Sequence, residues 1–222
     1  MSTGKAHKFN KSVISILIAY DDSSPGIGIS GVTQANPAVV TAAGHGLGSA
    51  NDYAVAKIEE VVGMTELNGL VFVVKVVDAN SYQLVGVNSI NYGAYDSGGI
   101  SRGGTFSRMC ELTGFNRQGG NAPEIQTTDV CSDAATSIRG LKDNGSIQVD
   151  FKYLPDEALQ EALLDFDNSG DYLAIRYAAA GSSVERIAIG YIASLSEQAQ
   201  EGGIWTASMS FRVSGAIVQA PL

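Results

Sequence analysis

The sequence is poor in the residues that build metal and redox sites. Among 222 residues there are two cysteines, Cys110 and Cys131, and two histidines. Neither cysteine belongs to a C-x-x-C pair, and the histidines cannot complete a zinc site of usual spacing. The cysteines therefore read as two buried reduced thiols. Basic residues are also scarce, 14 against 23 acidic ones, for a net charge of −9. Such a chain repels nucleic acid and anionic lipid, which argues against tight binding to either. No apolar run is long enough for a membrane-spanning helix. Proline is rare, with 5 residues against 26 glycines.

What is abundant is Gly, Ser, Thr, Val and Ile, the mixture of short strands and turns. Near the C-terminus, "IWTASMSFRVS" puts Trp205, Ala207, Met209, Phe211 and Val213 on one face and Thr206, Ser208, Ser210, Arg212 and Ser214 on the other. In "SIQVDFKY", Ile147, Val149, Phe151 and Tyr153 alternate with Ser146, Gln148, Asp150 and Lys152. Strict period two with one polar face predicts antiparallel sheets packed on one side. One helix is predicted in "PDEALQEALLDFDNSG". Pro155, Asp156 and Glu157 suit its first turn, and Leu159, Ala162, Leu163 and Phe166 form an apolar stripe. A hairpin is expected to follow, from "DYLAIRYA" to "VERIAIGYIASL".

At the N-terminus, Lys5, Lys8 and Lys11 precede the apolar stretch Val13 to Tyr20, an imitation of a secretory signal. The run is short, and Asp21-Asp22 stands where a small-residue cleavage site belongs, so a first β-strand is expected. Residues 28–99 differ in texture, with two lysines, no arginine and no cysteine. "NPAVVTA", "LVFVVKVVD" and "SYQLVGV" read as strands there, with Asn68-Gly69 as a hairpin turn. This predicts a small all-β module set into a larger domain made of residues 1–27 and 100–222.

Three motifs suggest chemistry and fail on context. Gly26-x-Gly28-x-x-Gly31 matches a dinucleotide loop, but "DDSSP" separates it from the strand and no helical pattern follows. The glycines read instead as an exit linker, with Gly98 and Gly99 in the return linker "SGGISRGG". "DFDNSGDY" imitates a calcium loop whose twelfth position is Arg176 where a bidentate Glu belongs. His45 in "TAAGHGLGS" has no nucleophile or orienting acid at defined spacing and reads as a turn residue. No catalytic, cofactor-binding or metal residues are assigned, and the chain reads as a non-enzyme.

The segment "ELTGFNRQGGNAPEIQTTDVCSDAATSIRGLKDNGSIQVDFKYLPDEALQEAL" resembles the major tail tube proteins of bacteriophages with long, non-contractile tails. The resemblance runs from about Thr105 to Val218, and Gly140 to Gly145, "GLKDNG", is its most specific piece. Residues 28–99 are similar to a small β module of phage structural proteins, itself like the first-catalytic-cysteine half-domain of ubiquitin-activating enzymes. This copy contains no cysteine. The resemblance implies a tail tube fold, an antiparallel β-sandwich or barrel with one short helix, with the small all-β domain inserted and projecting outward. It implies homohexameric rings stacked into the tube of a virion tail, assembled in the cytoplasm of the bacterial host. Partners would be further copies of itself, the tape measure, terminator and tail tip proteins, and DNA passing through unbound.

Under that resemblance the lumen-facing residues are Ser146, Gln148, Asp150, Ser208 and Ser210, and the channel is acidic and polar. A loop with Ser132, Asp133, Arg139, Gly140, Leu141, Lys142 and Asp143 would contact neighbouring subunits or rings. Residues 100–222 carry 15 acidic and 9 basic residues, an excess repeated in every copy around a ring. Two other readings stand beside this one. A terminator or baseplate protein would make one ring but no tube. A carbohydrate-binding adhesin would use the module against host surfaces, with Tyr92 and Tyr95 exposed to stack on sugars, although aromatics in such a module more often belong to its core.

Overall fold

The computed structural model describes residues 9–21, 26–128, 133–154, 156–199 and 201–222. Its strands are β1 Val13–Tyr20, β2 Ile27–Gly28, β3 Gly31–Val32, β4 Val39–Thr41, β5 Tyr53–Val62, β6 Leu70–Asp78, β7 Ser81–Leu84, β8 Ser97–Arg108, β9 Leu112–Gln118, β10 Glu124–Gln126 and β11 Ser137–Arg139. They continue with β12 Ser146–Lys152, β13 Leu173–Ala178, β14 Val184–Gln198, β15 Thr206–Val213 and β16 Val218–Pro221, with helix α1, Ala158–Ser169, between β12 and β13. The protein is thus mainly antiparallel β with one α-helix.

All strands but β10 and β11 belong to one sheet, ordered β3-β4-β7-β6-β5-β8-β1-β13-β14-β15-β12-β9, with β2 on β8 and β16 on β14. Strand β14 is the pivot. Its first half pairs with β13 on one edge and β16 on the other, and its second half pairs with β15. A register shift between Ile192 and Ser194 marks the change. Gly190 pairs with both Leu173 and Val213, and a Cβ there would stand 1.9 Å from the Arg212 carbonyl oxygen, so the crossing needs glycine. The sheet folds over at this point, and Phe115 of β9 meets Tyr177 of β13 with ring centroids 5.0 Å apart.

Two apolar clusters form. The larger draws Ile14, Ile16 and Leu17 from β1, Ile147, Val149 and Phe151 from β12, Ile175 from β13, and Met209 and Phe211 from β15. Helix α1 covers it with Leu159, Leu163 and Phe166, the stripe expected from the sequence. Gly170, in the left-handed region at φ 72°, ends that helix. The smaller cluster lies within residues 29–84, with Val40, Ile58, Leu67, Val74 and Tyr82 at its centre.

Segment 28–99 meets the rest of the chain through shared structure. Val55 and Val73 belong to the larger cluster. The return segment Ser97–Gly104, expected as a linker, is part of β8, which pairs with β5 through Ser97–Gly103 and with β1 from Gly104 onward. Gly98 and Gly99 have φ of 70° and 98°, and Gly28 and Gly31 lie in strands. The Asn68-Gly69 turn is longer than expected. A 3-10 turn at Thr65–Leu67 precedes it, and the Asn68 side chain holds both the N–H and the carbonyl of Val61.

Two further expectations change, and for Tyr92 and Tyr95 the core reading holds. Cys110 is exposed, because Met109 takes the inward position beside it; Cys131 lies outside the described residues. Trp205 precedes β15 and is 54% exposed, where the alternation had placed it inside. Tyr92 and Tyr95 are half-buried against the smaller cluster, and the Tyr95 hydroxyl is held by the carbonyls of Ile29 and Gly98. They form no open platform for a sugar.

Candidate assembly surfaces

Three features of the larger half bear on function: a polar sheet face, two open sheet edges and a projecting hairpin. The face belongs to β9, β12, β15 and the second half of β14. Cross-strand register sets Gly114, Asp150, Ser208 and Ser196 in one row, and Asn116, Gln148, Ser210 and Ser194 in the next. Gln118, Ser146, Arg212 and Tyr191 follow. The opposite face of these strands carries the buried Ile147, Val149, Phe151, Ala207, Met209 and Phe211.

All five residues singled out by alternation, Ser146, Gln148, Asp150, Ser208 and Ser210, lie on this polar face. Three of them interlock. The Gln148 amide donates to Ser208 Oγ at 2.6 Å, and the Ser208 hydroxyl donates to Asp150 Oδ1 at 2.7 Å. Gly114 makes room for the carboxylate, since a Cβ there would lie 2.7 Å from Asp150 Oδ2. The network ties β12 to β15 and turns short polar groups toward water. Serine, threonine and amide side chains dominate, and Asp150, Lys152 and Arg212 are the charged residues that alternation places on β12 and β15. The face is therefore polar, and the acidic excess of the chain is not gathered on it.

The edges follow from the pairing. Strand β9 pairs with β12 alone, and β13 leaves β14 at Gly190. Among the described residues, no strand pairs with the outer edge of β9 or with the β13-side edge of Ile192–Gln198. Sequence reasoning missed this second edge. "YIASLSEQ" alternates as a strand should, but its loss of one partner halfway is a tertiary event that no local pattern announces.

The hairpin of β10 and β11 stands off the sheet between β9 and β12, and every residue of both strands is exposed. Its base is fixed by hydrogen bonds from Gly140 N–H to the Pro123 carbonyl at 2.7 Å and from Asp143 N–H to the Asn121 carbonyl at 2.9 Å. Asp143 also accepts from Arg212 Nη2 at 2.7 Å, tying the base to β15. Arg139, Gly140, Leu141, Lys142 and Asp143, grouped by the sequence, all lie on the return limb. Asp133 is exposed near the tip, and Ser132 falls outside the described residues. Leu141 is 94% exposed, and Ile125 and Ile138 are exposed beside it. A cluster of apolar side chains left in water on a projecting hairpin is the mark of a contact surface.

His45 is buried in a turn of the smaller half. Its Nε2 is 2.8 Å from the Asp78 carbonyl, and its Nδ1 accepts from Leu47 N–H at 3.1 Å. Its ring meets Tyr82 edge-on at 5.4 Å, and the Tyr82 hydroxyl donates to Ser101. Burial pushes that hydroxyl up to about 12, and the bond to Ser101 opposes the shift. The arrangement locks the turn.

A sheet with a polar face, open edges and an exposed hairpin offers the surfaces that a structural protein pairs through. The profile of the family described as "Phage tail tube protein, TTP" matches residues 62–217, and the chain belongs to that family. The match begins inside segment 28–99. No curated protein matches the chain. Among solved structures, it is similar to a chain of the "Tail of empty GTA particle computed with helical refinement, C6 symmetry", at 14% identity and a TM-score of 0.43, covering 51% of this chain and 84% of that one.

Proposed function

We propose that the chain builds the wall of a phage tail tube by joining the outer edge of β9 to the open edge of β14 in the next subunit. The single observation that carries this reading is the pair of unpaired edges on one four-stranded sheet. Open edges invite further pairing, and closing a ring satisfies both at once. Strands β9, β12, β15 and β14 alternate in direction, so β9 runs opposite to β14. Under rotational symmetry the junction between subunits is then antiparallel, like every pair within them. Six subunits to a ring is the number that the resemblance to tail tube proteins implies.

In this arrangement Gln148, Asp150 and Ser208, from two adjacent rows, line the channel. The hydroxyls, amides and Asp150 of these two rows offer phosphates no cation, and of the two cations further along the face Arg212 is paired with Asp143, which favours passage of DNA without adhesion. Segment 28–99 lies at the far end of the sheet path from β9 and projects outward. The β10–β11 hairpin reaches the neighbouring ring, and the chain acts as structure, not as a catalyst.

Negative-stain microscopy of the purified protein tests this reading. Hollow tubes of uniform width are expected. Isolated rings would favour a terminator or baseplate protein, and monomers that bind glycans would favour an adhesin.

A further inference from the structure

Two arginines line a gap in the folded sheet with no acid to meet them. Arg117 of β9 stands opposite the buried Ile147, so it shares the core face of that strand with Phe115. Across the fold, Arg186 of β14 stands opposite Tyr177 of β13. Phe115, Arg117, Tyr177 and Arg186, with Ile14 and Val184, line a cavity of about 580 Å³ that no acidic residue borders. Among the described residues neither arginine makes an ion pair. The Tyr177 hydroxyl is buried with no hydrogen-bond acceptor. Burial raises its pKa, and the nearby Arg117 and Arg186 guanidiniums oppose the shift. Only donors converge here, and the group that satisfies such a set is a carboxylate.

The stretch that would join the outer edge of β9 in a ring, Ile192–Gln198, carries one charged residue, Glu197. Glu197 stands opposite the buried Ala207, on the core face of β14, and is exposed in the single subunit. Its carboxylate adjoins the Tyr153 hydroxyl and has lone pairs left for further donors. A junction without stagger would continue the rows of the sheet, setting Arg117 against Ile192 and Glu197 against Leu112. Each charge would then be covered without a partner, which is costly. A closed barrel needs stagger, and an odd offset would turn the polar face inward. An offset of two residues one way sets Arg117 against Gly190, which β13 already pairs. The other way, Leu195 faces Arg117 and Glu197 faces Phe115. Glu197 then lies diagonally across from Arg117, about 7–8 Å between backbones and within reach of long side chains. Phe115 meets Tyr177 at 5.0 Å, so a side chain beside it on the same face is aimed at the Tyr177 hydroxyl.

We infer that this cavity receives the Glu197 carboxylate of a second copy, held by Arg117 with the Tyr177 hydroxyl and Arg186 behind it, and that the contact fixes the offset between neighbours in a ring. This rests on the edge-to-edge reading above and supplies the register that reading leaves open. The cavity lies on the β9 side of the sheet and Glu197 on the β14 side, so the contact is heterologous. Each copy gives one carboxylate and receives one, and a closed ring leaves none unpaired.

Charge reversal in the full chain tests this. Arg117→Glu or Glu197→Arg alone should cut the yield of rings and tubes in negative stain at least ten-fold, and the two together should restore most of it. Both side chains are exposed in the single subunit, so far-UV circular dichroism should show each variant folded. Arg117→Gln and Glu197→Gln repeat the test without reversed charge. Each should lower assembly several-fold, and the double variant should be no worse than either alone. Single reversals that assemble as well as the native chain, a swap that restores nothing, or neutral changes whose losses multiply overturn the pocket and leave the edge-to-edge reading standing. Failure of the unaltered protein to form rings or tubes overturns both.

Discussion

Arg176 shows how single residues join the two halves of the molecule. Its Nη2 donates to the Tyr53 carbonyl at 2.8 Å, and its guanidinium lies 4.3 Å from the Phe106 ring centroid. Nη1 is 4.0 Å from Glu185. Burial lowers the pKa of this arginine and Glu185 opposes the shift. Arg176→Met leaves the Tyr53 carbonyl and the Glu185 carboxylate with one partner fewer, and should cost about 1–3 kcal/mol in urea unfolding. Glu59 tests the same junction by pH. Its carboxylate lies 2.9 Å from Lys57 Nζ and 3.0 Å from Arg102 Nε, and the bond to Lys57, then that to Arg102, hold its pKa below the usual range. The contribution is therefore complete above the ordinary glutamate pKa and is lost as pH falls through the lower folded value. The difference in Tm between the native chain and Glu59→Gln should shrink as pH is taken from about 6 to about 3. Neither residue was legible as a junction. In the sequence Arg176 stands out only for spoiling a calcium loop, since Tyr53, whose carbonyl it binds, lies far along the chain on β5.

The elements were legible where a local period expressed burial. Leu159, Leu163 and Phe166 recur at helical spacing because one face of α1 covers the core, and β12 and β15 alternate because one face meets water. Where pairing depends on distant chain, the sequence was silent. The open edge of β14, the strand character of Ser97–Gly104 and the exposure of Trp205 all follow from partners gained or lost in three dimensions. The hairpin of β10 and β11 is a separable element by its geometry. Asn121 and Asp143 are hydrogen-bonded at its base, and no residue of its strands is buried. Replacing residues 121–143 with a short turn should therefore change the Tm of the isolated subunit by no more than a few degrees. The same variant should form rings but no tubes by negative-stain microscopy.

At the scale of the whole molecule, the two apolar clusters are joined by β8 and by Val55 and Val73. The sequence reads residues 28–99 as a module set into a larger domain, and Val55 and Val73 of that segment are buried in the larger cluster. Each buried valine contributes about 1.5–3 kcal/mol, and a domain of this kind is stable by only about 5–15 kcal/mol. Excision of residues 28–99 should therefore abolish cooperative unfolding or leave it at the edge of detection, read by urea titration of far-UV circular dichroism. An excised chain that keeps its full stability would show that segment to be an independent guest.

The claim on which the account turns is that β9 meets β14 around a ring with the polar face inward. A helical reconstruction of assembled tubes at side-chain resolution tests it most directly. The account predicts a continuous antiparallel inner barrel, with Leu112–Gln118 of one subunit against Ile192–Gln198 of the next and with Gln148, Asp150 and Ser208 facing the channel. Those three side chains on the outer wall, or subunits joined through any other pair of edges, would contradict it.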